Sequence, residues 1–333
     1  MDEQRDFFDL QVNGYGGVDF NRDDLSAEGL HQACCALEAD GVAGILATII
    51  TDDLDRMSRR LANLAALRDQ DPLARRIIAG VHIEGPFVNE SPGYRGVHPP
   101  KAIRPADVAA MGALLDAAAG LTRIVTLAPE RDGGFKVIGM LAERGVIPSA
   151  GHCDSTLDQF RGAIDAGLTM FTHLGNGCAL EIDRHDNIIQ RVLSLRDRLW
   201  ISFIADGVHI PDFALGNYLR AAGMERSIVV SDAVAAAGAG PGRYTLAERE
   251  VVVASDRVTH VQANGQLIGS TTPMRQVATR LADRLGLSAE DVRRLTVTNP
   301  RRAIALTGQH GGQGGGQPQG VRNTPPVQRC PAG

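Results

Sequence analysis

The chain has 333 residues, of which 44% are hydrophobic, 22% charged and only 4% aromatic, with a formal net charge of −5. This apolar content excludes a disordered chain, and the charge balance, without a run of lysine or arginine, indicates no nucleic-acid-binding surface. No segment approaches the roughly 18 apolar residues of a membrane span, and an acidic start with five scattered cysteines predicts a reduced, cytoplasmic protein.

Eight short runs are rich in Val, Ile and Leu without strict polar alternation, as is typical of strands buried on both faces. The predicted strands are residues 7–12, 42–50, 77–83, 123–127, 146–150, 168–172, 199–205 and 227–230. Helices are predicted between most of them, with Ser26 and Ser155 as capping residues. The predicted helices are residues 25–38, 54–67, 105–118, 157–166 and 211–222.

This alternation of strands and helices predicts an α/β fold, the (β/α)₈ TIM barrel. An open doubly wound sheet is the alternative, but residues 14–17 lack the G-x-G-x-x-G spacing that it needs. Beyond the eighth strand we expect a hairpin at 244–262 and helices at 272–285, 290–295 and 300–306. Residues 311–333 are rich in Gly, Gln and Pro, which predicts a disordered tail after a barrel domain of residues 1–310.

Polar side chains follow five of the predicted strands, namely Glu84, His152, His173, His209 and Asp232. Each has an ordinary structural explanation taken alone, since a histidine at a strand end is usually hydrogen-bonded and an aspartate usually caps a helix. In one barrel, however, all five point into the same mouth. One carboxylate and two imidazoles match a divalent-metal site, and Asp232 is placed to transfer protons, which together predict metal-assisted hydrolysis.

Motifs in this order resemble the N-acetylglucosamine-6-phosphate deacetylase family of the amidohydrolase superfamily, from residue 9 to about residue 306. They are DLQVNG (9–14), HIEGPF (82–87), GVH (96–98), GH (151–152), THLGN (172–176), ADGVH (205–209), SDA (231–233), GQLIGS (265–270) and NP (299–300). The resemblance implies a hydrolase that converts N-acetylglucosamine-6-phosphate to glucosamine-6-phosphate and acetate.

The resemblance also implies roles for particular residues. Glu84, His152 and His173 hold one divalent metal per subunit, with zinc favoured over iron, cobalt or manganese, and Asp232 is the general base and acid. Gln11 and Asn13 stand where many amidohydrolases carry the histidines of a second metal site, so we expect a single ion.

For the substrate, the resemblance assigns contacts with the sugar to His98, Asn176, Gly177 and His209. Arg184 lies at the spacing of an arginine that binds the phosphate from a neighbouring subunit, which implies a homodimer. Glu181 and Asp183 are alternative partners for Arg184, so its phosphate role stays open.

The chain also departs from the family pattern. The family carries a small β-domain built from both chain ends, whereas here the first predicted strand lies near residue 1 and the C-terminal return strands are missing. We therefore expect the barrel without most of that domain. Two functional alternatives remain, namely an amidohydrolase acting on another N-acyl or cyclic amide, and a homologue that binds sugar without turnover.

Overall fold

The computed structural model describes residues 6–246, 249–253, 259–260 and 267–305, and its centre is a nearly closed barrel of eight parallel strands. Each strand pairs with the next one along the chain, which confirms the predicted (β/α)₈ fold. The barrel strands are Phe7–Val12, Val42–Ile50, Ile78–Glu84, Thr122–Leu127, Ile147–Ala150, Met170–Phe171, Trp200–Ile204 and Ser227–Val230.

Helices surround this sheet at Ala27–Ala39, Leu54–Gln70, Pro72–Ile77, Val108–Ala117, Lys136–Glu143, Leu157–Asp165, Ile188–Ser194 and Asp212–Ala222. Ser26 caps the first of them, as predicted. The prediction for Ser155 was wrong, because its neighbour Thr156 caps Leu157–Asp165 through a reciprocal capping box with Gln159. Ser155 instead donates its hydroxyl hydrogen to Glu130. None of the described helices is both long and apolar enough to cross a membrane.

Beyond the eighth barrel strand, Gly242–Leu246, Arg249–Val253 and Thr259–His260 form a small antiparallel sheet. The helices Met274–Leu285, Ala289–Arg293 and Asn299–Ala305 follow, the last two joined by a π-helical turn at Arg294–Thr298. Part of the predicted 244–262 hairpin and the whole predicted 311–333 tail lie outside the described residues.

Side chains alternate along the barrel strands and so form two apolar layers. Val229 packs in the outer layer between strands and helices, whereas its neighbours Ile228 and Val230 fill the barrel interior. The interior cluster comprises Phe8, Leu10, Leu46, Ile124, Ile147, Met170, Trp200, Ile204, Ile228, Val230 and Ala303. This packed interior makes the barrel a rigid base rather than a channel.

A polar layer continues the barrel interior toward the carboxyl ends of the strands. The Nε2 atom of His82 lies 2.7 Å from the hydroxyl of Thr126, which lies 2.7 Å from that of Thr172. Thr172 in turn contacts the hydroxyl of Ser149 at 2.7 Å. Because these buried groups are hydrogen-bonded to one another across the barrel interior, the layer holds four strand ends in fixed relation.

The first and eighth strands meet through a buried carboxylate instead of a regular ladder. Asp9 accepts hydrogen bonds from the backbone N–H of Ser231 at 3.2 Å and from its hydroxyl at 2.5 Å. A parallel bridge between Val12 and Ala233 closes the remaining gap. Burial raises the pKa of Asp9 to about 7 although these hydrogen bonds oppose the rise.

We predict that Ser231→Ala lowers the free energy of unfolding by about 1–3 kcal/mol, because the buried Asp9 carboxyl loses its hydroxyl partner. Urea unfolding followed by circular dichroism measures the change. The control is Ser194→Ala, which removes the hydroxyl of an exposed serine that bonds to the carbonyl of Arg191 and should cost less than about 0.5 kcal/mol. Equal losses in both variants would contradict a closing role for Asp9.

We also predict that Asp9 makes stability fall as the pH rises between about 4 and 7. The folded chain keeps a proton on Asp9 up to a pKa of about 7, whereas the unfolded chain releases it near 3.8. Asp9→Asn removes this dependence, so the unfolding free energy of the parent chain minus that of the variant should be lower at pH 8 than at pH 5. A difference that does not change with pH would show that the Asp9 pKa is not raised.

Candidate active site

A cavity of about 540 Å³ opens at the carboxyl ends of the barrel strands. Its wall contains most of the predicted site residues, namely Asn13, Glu84, His98, His152, His173, Asn176, Gly177, His209 and Asp232. A larger cavity of about 710 Å³ lies outside the barrel between Asp212–Ala222 and Met274–Leu285, and none of the predicted catalytic or metal-binding residues lines it.

Three residues of this mouth adopt left-handed backbone conformations. The φ angles of His152, His173 and Asp232 are 50°, 39° and 52°. Non-glycine residues seldom take this conformation, and they keep it where the surrounding structure stabilises the strain. Here the backbone turns sharply as each strand ends, and the three side chains converge in the cavity.

Glu84 is the meeting point of two imidazoles. Its Oε1 atom lies 3.2 Å from Nε2 of His152 and 3.0 Å from Nε2 of His173, and its side chain is 4% exposed. Burial alone would favour the neutral acid, but the hydrogen bonds and charges of the two histidines hold the pKa of Glu84 well below its ordinary value. One carboxylate oxygen and two ring nitrogens therefore face a common point.

The tautomer of His152 indicates that a cation belongs at this point. Its Nδ1 atom lies 2.7 Å from the carbonyl oxygen of Tyr94, which can only accept, so Nδ1 carries the hydrogen. In the neutral ring Nε2 then presents a lone pair to Glu84, and two acceptors meet unless a proton or a metal lies between them. A carbonyl that orients a metal-binding histidine through its other nitrogen is a common arrangement in proteins. The donor set thus fits a divalent transition metal.

His98 is an alternative to His173 as the third metal ligand. One atom each of Glu84, His98 and His152 lies within 4.8 Å of the other two, which also makes a possible metal-binding group. The His98 ring packs edge-on against that of His152, with their centroids 4.4 Å apart. We favour His173, because its Nε2 directly contacts the same Glu84 oxygen that His152 contacts.

Gln11 and Asn13 contact the site from the first strand. A bulge between Asp9 and Val12 breaks the regular alternation, and Gln11 Nε2 donates to Glu84 Oε1 at 3.2 Å. Asn13 Nδ2 donates to Asp232 Oδ1 at 2.7 Å. These two amides therefore orient the two carboxylates of the site.

Asp232 is half-buried in the cavity wall, which it shares with Glu84. Burial and the negative charge of Glu84 raise the pKa of Asp232 to about 7, while His173, His209 and the hydrogen bond from Asn13 oppose the rise. A carboxylate that lines a reaction cavity can accept a proton and later return it, which is the role predicted for Asp232.

His209 is held by Asp206, three residues earlier in the same loop. Its Nδ1 atom lies 2.7 Å from Asp206 Oδ2, and its backbone N–H donates to Oδ1 at 2.9 Å. Burial lowers the pKa of His209, but the hydrogen bond and the charges of Asp206 and Asp232 outweigh burial and raise it. Because Nδ1 is occupied, Nε2 is the ring atom available to a ligand.

Two glycines let their loops approach the ring of His152. A Cβ atom on Gly96 or Gly177 would lie 3.0 or 2.8 Å from that ring, and both residues have positive φ angles. Gly177 and the adjacent Asn176 form part of the cavity wall. Arg184 is not part of this cavity wall, because it lies exposed in the loop that follows.

Some residues of the site had no predicted role. Tyr94 orients His152 through its carbonyl group, Asp206 orients His209, and Arg95 lines the cavity. The motif ADGVH contains Asp206, and the i to i+3 spacing of Asp206 and His209 was a usable signal for this pair. No comparable signal marks Tyr94 or Arg95, which belong to an irregular loop.

No protein-family model matches the chain, but several sugar-phosphate deacetylases are similar to it over most of its length. N-acetylglucosamine-6-phosphate deacetylase of Bacillus subtilis is 30% identical over 304 residues, which are 91% of this chain and 76% of that protein. N-acetylgalactosamine-6-phosphate deacetylase of Escherichia coli O157:H7 is 29% identical over 305 residues, which are 91% and 78% of the two chains.

Solved structures agree with these relatives. A mutant N-acetyl-D-glucosamine-6-phosphate deacetylase of Mycobacterium smegmatis, in complex with N-acetyl-D-glucosamine-6-phosphate, superposes with a TM-score of 0.82 at 32% identity. The match covers 91% of this chain and 77% of that one.

We predict that Glu84→Gln and His173→Ala each reduce the bound divalent metal from about one ion per chain to a small fraction. The reason is that a site with three protein ligands loses most of its metal affinity when one ligand is removed. Plasma mass spectrometry after dialysis measures the content. His98→Ala should retain the metal, and His185→Ala, which alters an exposed histidine, is the control. Metal retained in His173→Ala but lost in His98→Ala would exchange the roles of these two residues.

Proposed function

We propose that this chain, which belongs to the N-acetylglucosamine-6-phosphate deacetylase family, hydrolyses the N-acetyl group of N-acetylglucosamine-6-phosphate to yield glucosamine-6-phosphate and acetate. It is a hydrolase of the amidohydrolase superfamily that acts on an amide bond. The observation that carries this proposal is the contact of His152 and His173 with Glu84 in a cavity at the barrel mouth that Asp232 also lines.

Deacetylases of this superfamily depend on a metal, and the chain has a Glu/His cluster that can bind one. We propose Glu84, His152 and His173 as its ligands and zinc as the ion, because nitrogen donors with one carboxylate suit zinc. When bound, such an ion polarises the substrate carbonyl and makes hydroxide available at neutral pH. Iron, cobalt and manganese are the alternatives that metal analysis distinguishes.

Asp232 carries the proton through the reaction. It takes a proton from the attacking water, holds it while the tetrahedral carbon forms, and gives it to the amino group as the C–N bond breaks. The hydrogen bond from Asn13 fixes Oδ1, so Oδ2 is the oxygen that exchanges the proton.

The remaining site residues bind and orient the substrate. His98 lies next to His152 and is placed to donate a hydrogen bond to the acetyl oxygen, on which negative charge develops. His209, held through Nδ1 by Asp206, offers Nε2 to a sugar hydroxyl. Asn176 and Gly177 form the wall beside them.

A second amino-sugar phosphate is a candidate substrate. N-acetylgalactosamine-6-phosphate differs from the first substrate only in the configuration at C4, and the E. coli relative is named for it. Another N-acyl or cyclic amide substrate, or binding without turnover, would leave both sugar phosphates intact.

We further propose a homodimer in the cytoplasm. Arg184 is exposed on the loop after the sixth strand, where a partner subunit could bind it, and the exposed Leu180 and Ile182 precede it on the same loop. Size-exclusion chromatography with light scattering tests the dimer.

We predict that Asp232→Asn lowers kcat by about 10²- to 10⁴-fold, because the amide of the variant cannot take up the proton. Acetate release from N-acetylglucosamine-6-phosphate measures the rate. Metal content should stay at the parent level, since Asp232 lies outside the proposed ligand set. Nearly unchanged turnover would remove Asp232 from this role.

We also predict how the rate depends on the substrate. Acetate release should be fastest from N-acetylglucosamine-6-phosphate, slower from its galactosamine epimer and slowest from unphosphorylated N-acetylglucosamine, because the phosphate contributes binding energy away from the reacting bond. A faster rate on the epimer would select the second candidate. A metal-loaded protein that releases acetate from none of the three would contradict the proposed function.

A further inference from the structure

The loop 206–209, which follows the seventh barrel strand, borders two cavities. His209 lines the catalytic cavity of about 540 Å³, whereas Gly207 lines the outer cavity of about 710 Å³. Because a single residue separates these two positions in the chain, the loop connects the catalytic cavity to side chains outside the barrel. A group that fixes Gly207 from the outer cavity therefore also affects the position of His209.

Arg280 contacts this loop at Gly207. It belongs to the helix Met274–Leu285, on the far side of the outer cavity. A Cβ atom on Gly207 would lie 2.0, 2.1 and 2.2 Å from Nη2, Cζ and Nε of Arg280, so the guanidinium lies directly against the glycine backbone. The φ angle of Gly207 is 77°, which glycine adopts without strain. Both the contact and the backbone angle therefore require glycine at this position.

Asp212 holds the Arg280 guanidinium in place. Nε of Arg280 donates to Oδ1 at 2.7 Å, and Nη2 donates to Oδ2 at 2.8 Å, which together form the two-bond fork that fixes the orientation of a guanidinium. Asp212 is the first residue of the helix Asp212–Ala222, where the helix dipole favours a carboxylate. The group that contacts Gly207 therefore cannot move away without breaking two hydrogen bonds.

The same loop forms the support of His209. One carboxylate oxygen of Asp206 accepts the backbone N–H groups of Val208 and His209, both at 2.9 Å, and the other oxygen lies 2.7 Å from Nδ1 of His209. These three hydrogen bonds span Gly207, which lies between Asp206 and Val208 in the chain. A shift of Gly207 therefore changes the positions of Asp206 and His209 relative to each other.

The ion pair of Arg280 and Asp212 is better suited to positioning than to stability or to ligand binding. The two side chains are 33% and 27% exposed, and ion pairs of such exposure contribute little to the free energy of unfolding. The fork of Arg280 is already occupied by Asp212, so it does not require an anion from a ligand. What distinguishes this pair is its contact with the backbone of the loop that holds His209.

We propose that Arg280 is a positioning residue for His209. Held by Asp212, it packs against Gly207 from outside the barrel and keeps the loop 206–209 in the conformation that directs His209 into the catalytic cavity. The expected effect on turnover rests on the proposed deacetylase function, in which His209 contacts the sugar.

The kinetic test combines Arg280→Met with His209→Gln. Arg280→Met should lower kcat/KM for N-acetylglucosamine-6-phosphate about 5- to 20-fold, because a small displacement of a substrate-contacting group lowers the rate strongly. In a His209→Gln background the same change should cost less than about twofold, since the group that Arg280 positions is absent. Arg280→Lys should fall between the parent and Arg280→Met, because it keeps the charge but loses the fork.

Arg284→Met is the matched control, because Arg284 is an exposed arginine of the same helix and lines the same outer cavity. It should leave kcat/KM within about twofold of the parent value. Equal losses from Arg280→Met in the parent and in the His209→Gln background would show a structural role that does not act through His209. An unchanged kcat/KM in Arg280→Met, or an equal loss in Arg284→Met, would also overturn the proposal.

A measurement without substrate distinguishes failure of this proposal from failure of the proposed function. Proton NMR of the zinc-loaded protein should show a downfield Nδ1–H signal of His209, identified by its absence in His209→Gln, because the Asp206 carboxylate holds that hydrogen. Arg280→Met should broaden or remove the signal through faster exchange with water, and Arg284→Met should keep it. If the parent deacetylates no amino sugar, the proposed function fails. A signal that is unaltered in Arg280→Met, or absent from the parent, would overturn the Arg280 proposal separately.

Discussion

The buried carboxylate of Glu84, held between the ring nitrogens of His152 and His173, is the contact on which the rest of the site depends. A charge in the barrel interior is costly unless it is compensated, and two imidazoles with a cation compensate it. The positions of the neighbouring groups follow from the need to compensate this buried charge. Gln11 supports Glu84, and the carbonyl of Tyr94 fixes the tautomer of His152.

The barrel satisfies this demand because each ligand comes from a different rigid strand. Beneath the site, apolar side chains fill the interior, and a layer of His82, Thr126, Ser149 and Thr172 links neighbouring strands through hydrogen bonds. Strain at His152 and His173 is therefore borne by a packed base and not by a loose loop. The proposed chemistry requires this rigidity, since the relative positions of ligand and proton carrier decide the rate.

Much of this arrangement follows from local patterns in the sequence. Buried parallel strands produce apolar runs, and a polar residue that ends such a run must lie at the barrel mouth, which is why Glu84, His152 and Asp232 could be placed together. Contacts between distant loops leave no such pattern. Ser155 was predicted as the helix cap because Ser155 and Thr156 are adjacent hydroxyl residues that the local sequence does not distinguish. The difference is that Ser155 donates its hydroxyl hydrogen to Glu130, which is remote in sequence, so that Thr156 caps the helix. Arg95 escaped notice because its position depends on a bond between Tyr94 and His152, 58 residues apart in sequence.

The central claim is that one divalent ion occupies the point shared by Glu84, His152 and His173. Anomalous diffraction from crystals of the metal-loaded protein tests it directly. We predict a single peak about 2.0–2.2 Å from a Glu84 oxygen and from the Nε2 atoms of both histidines. A peak bound by His98 in place of His173, or a metal-loaded crystal with its peak outside this cavity, would contradict the account.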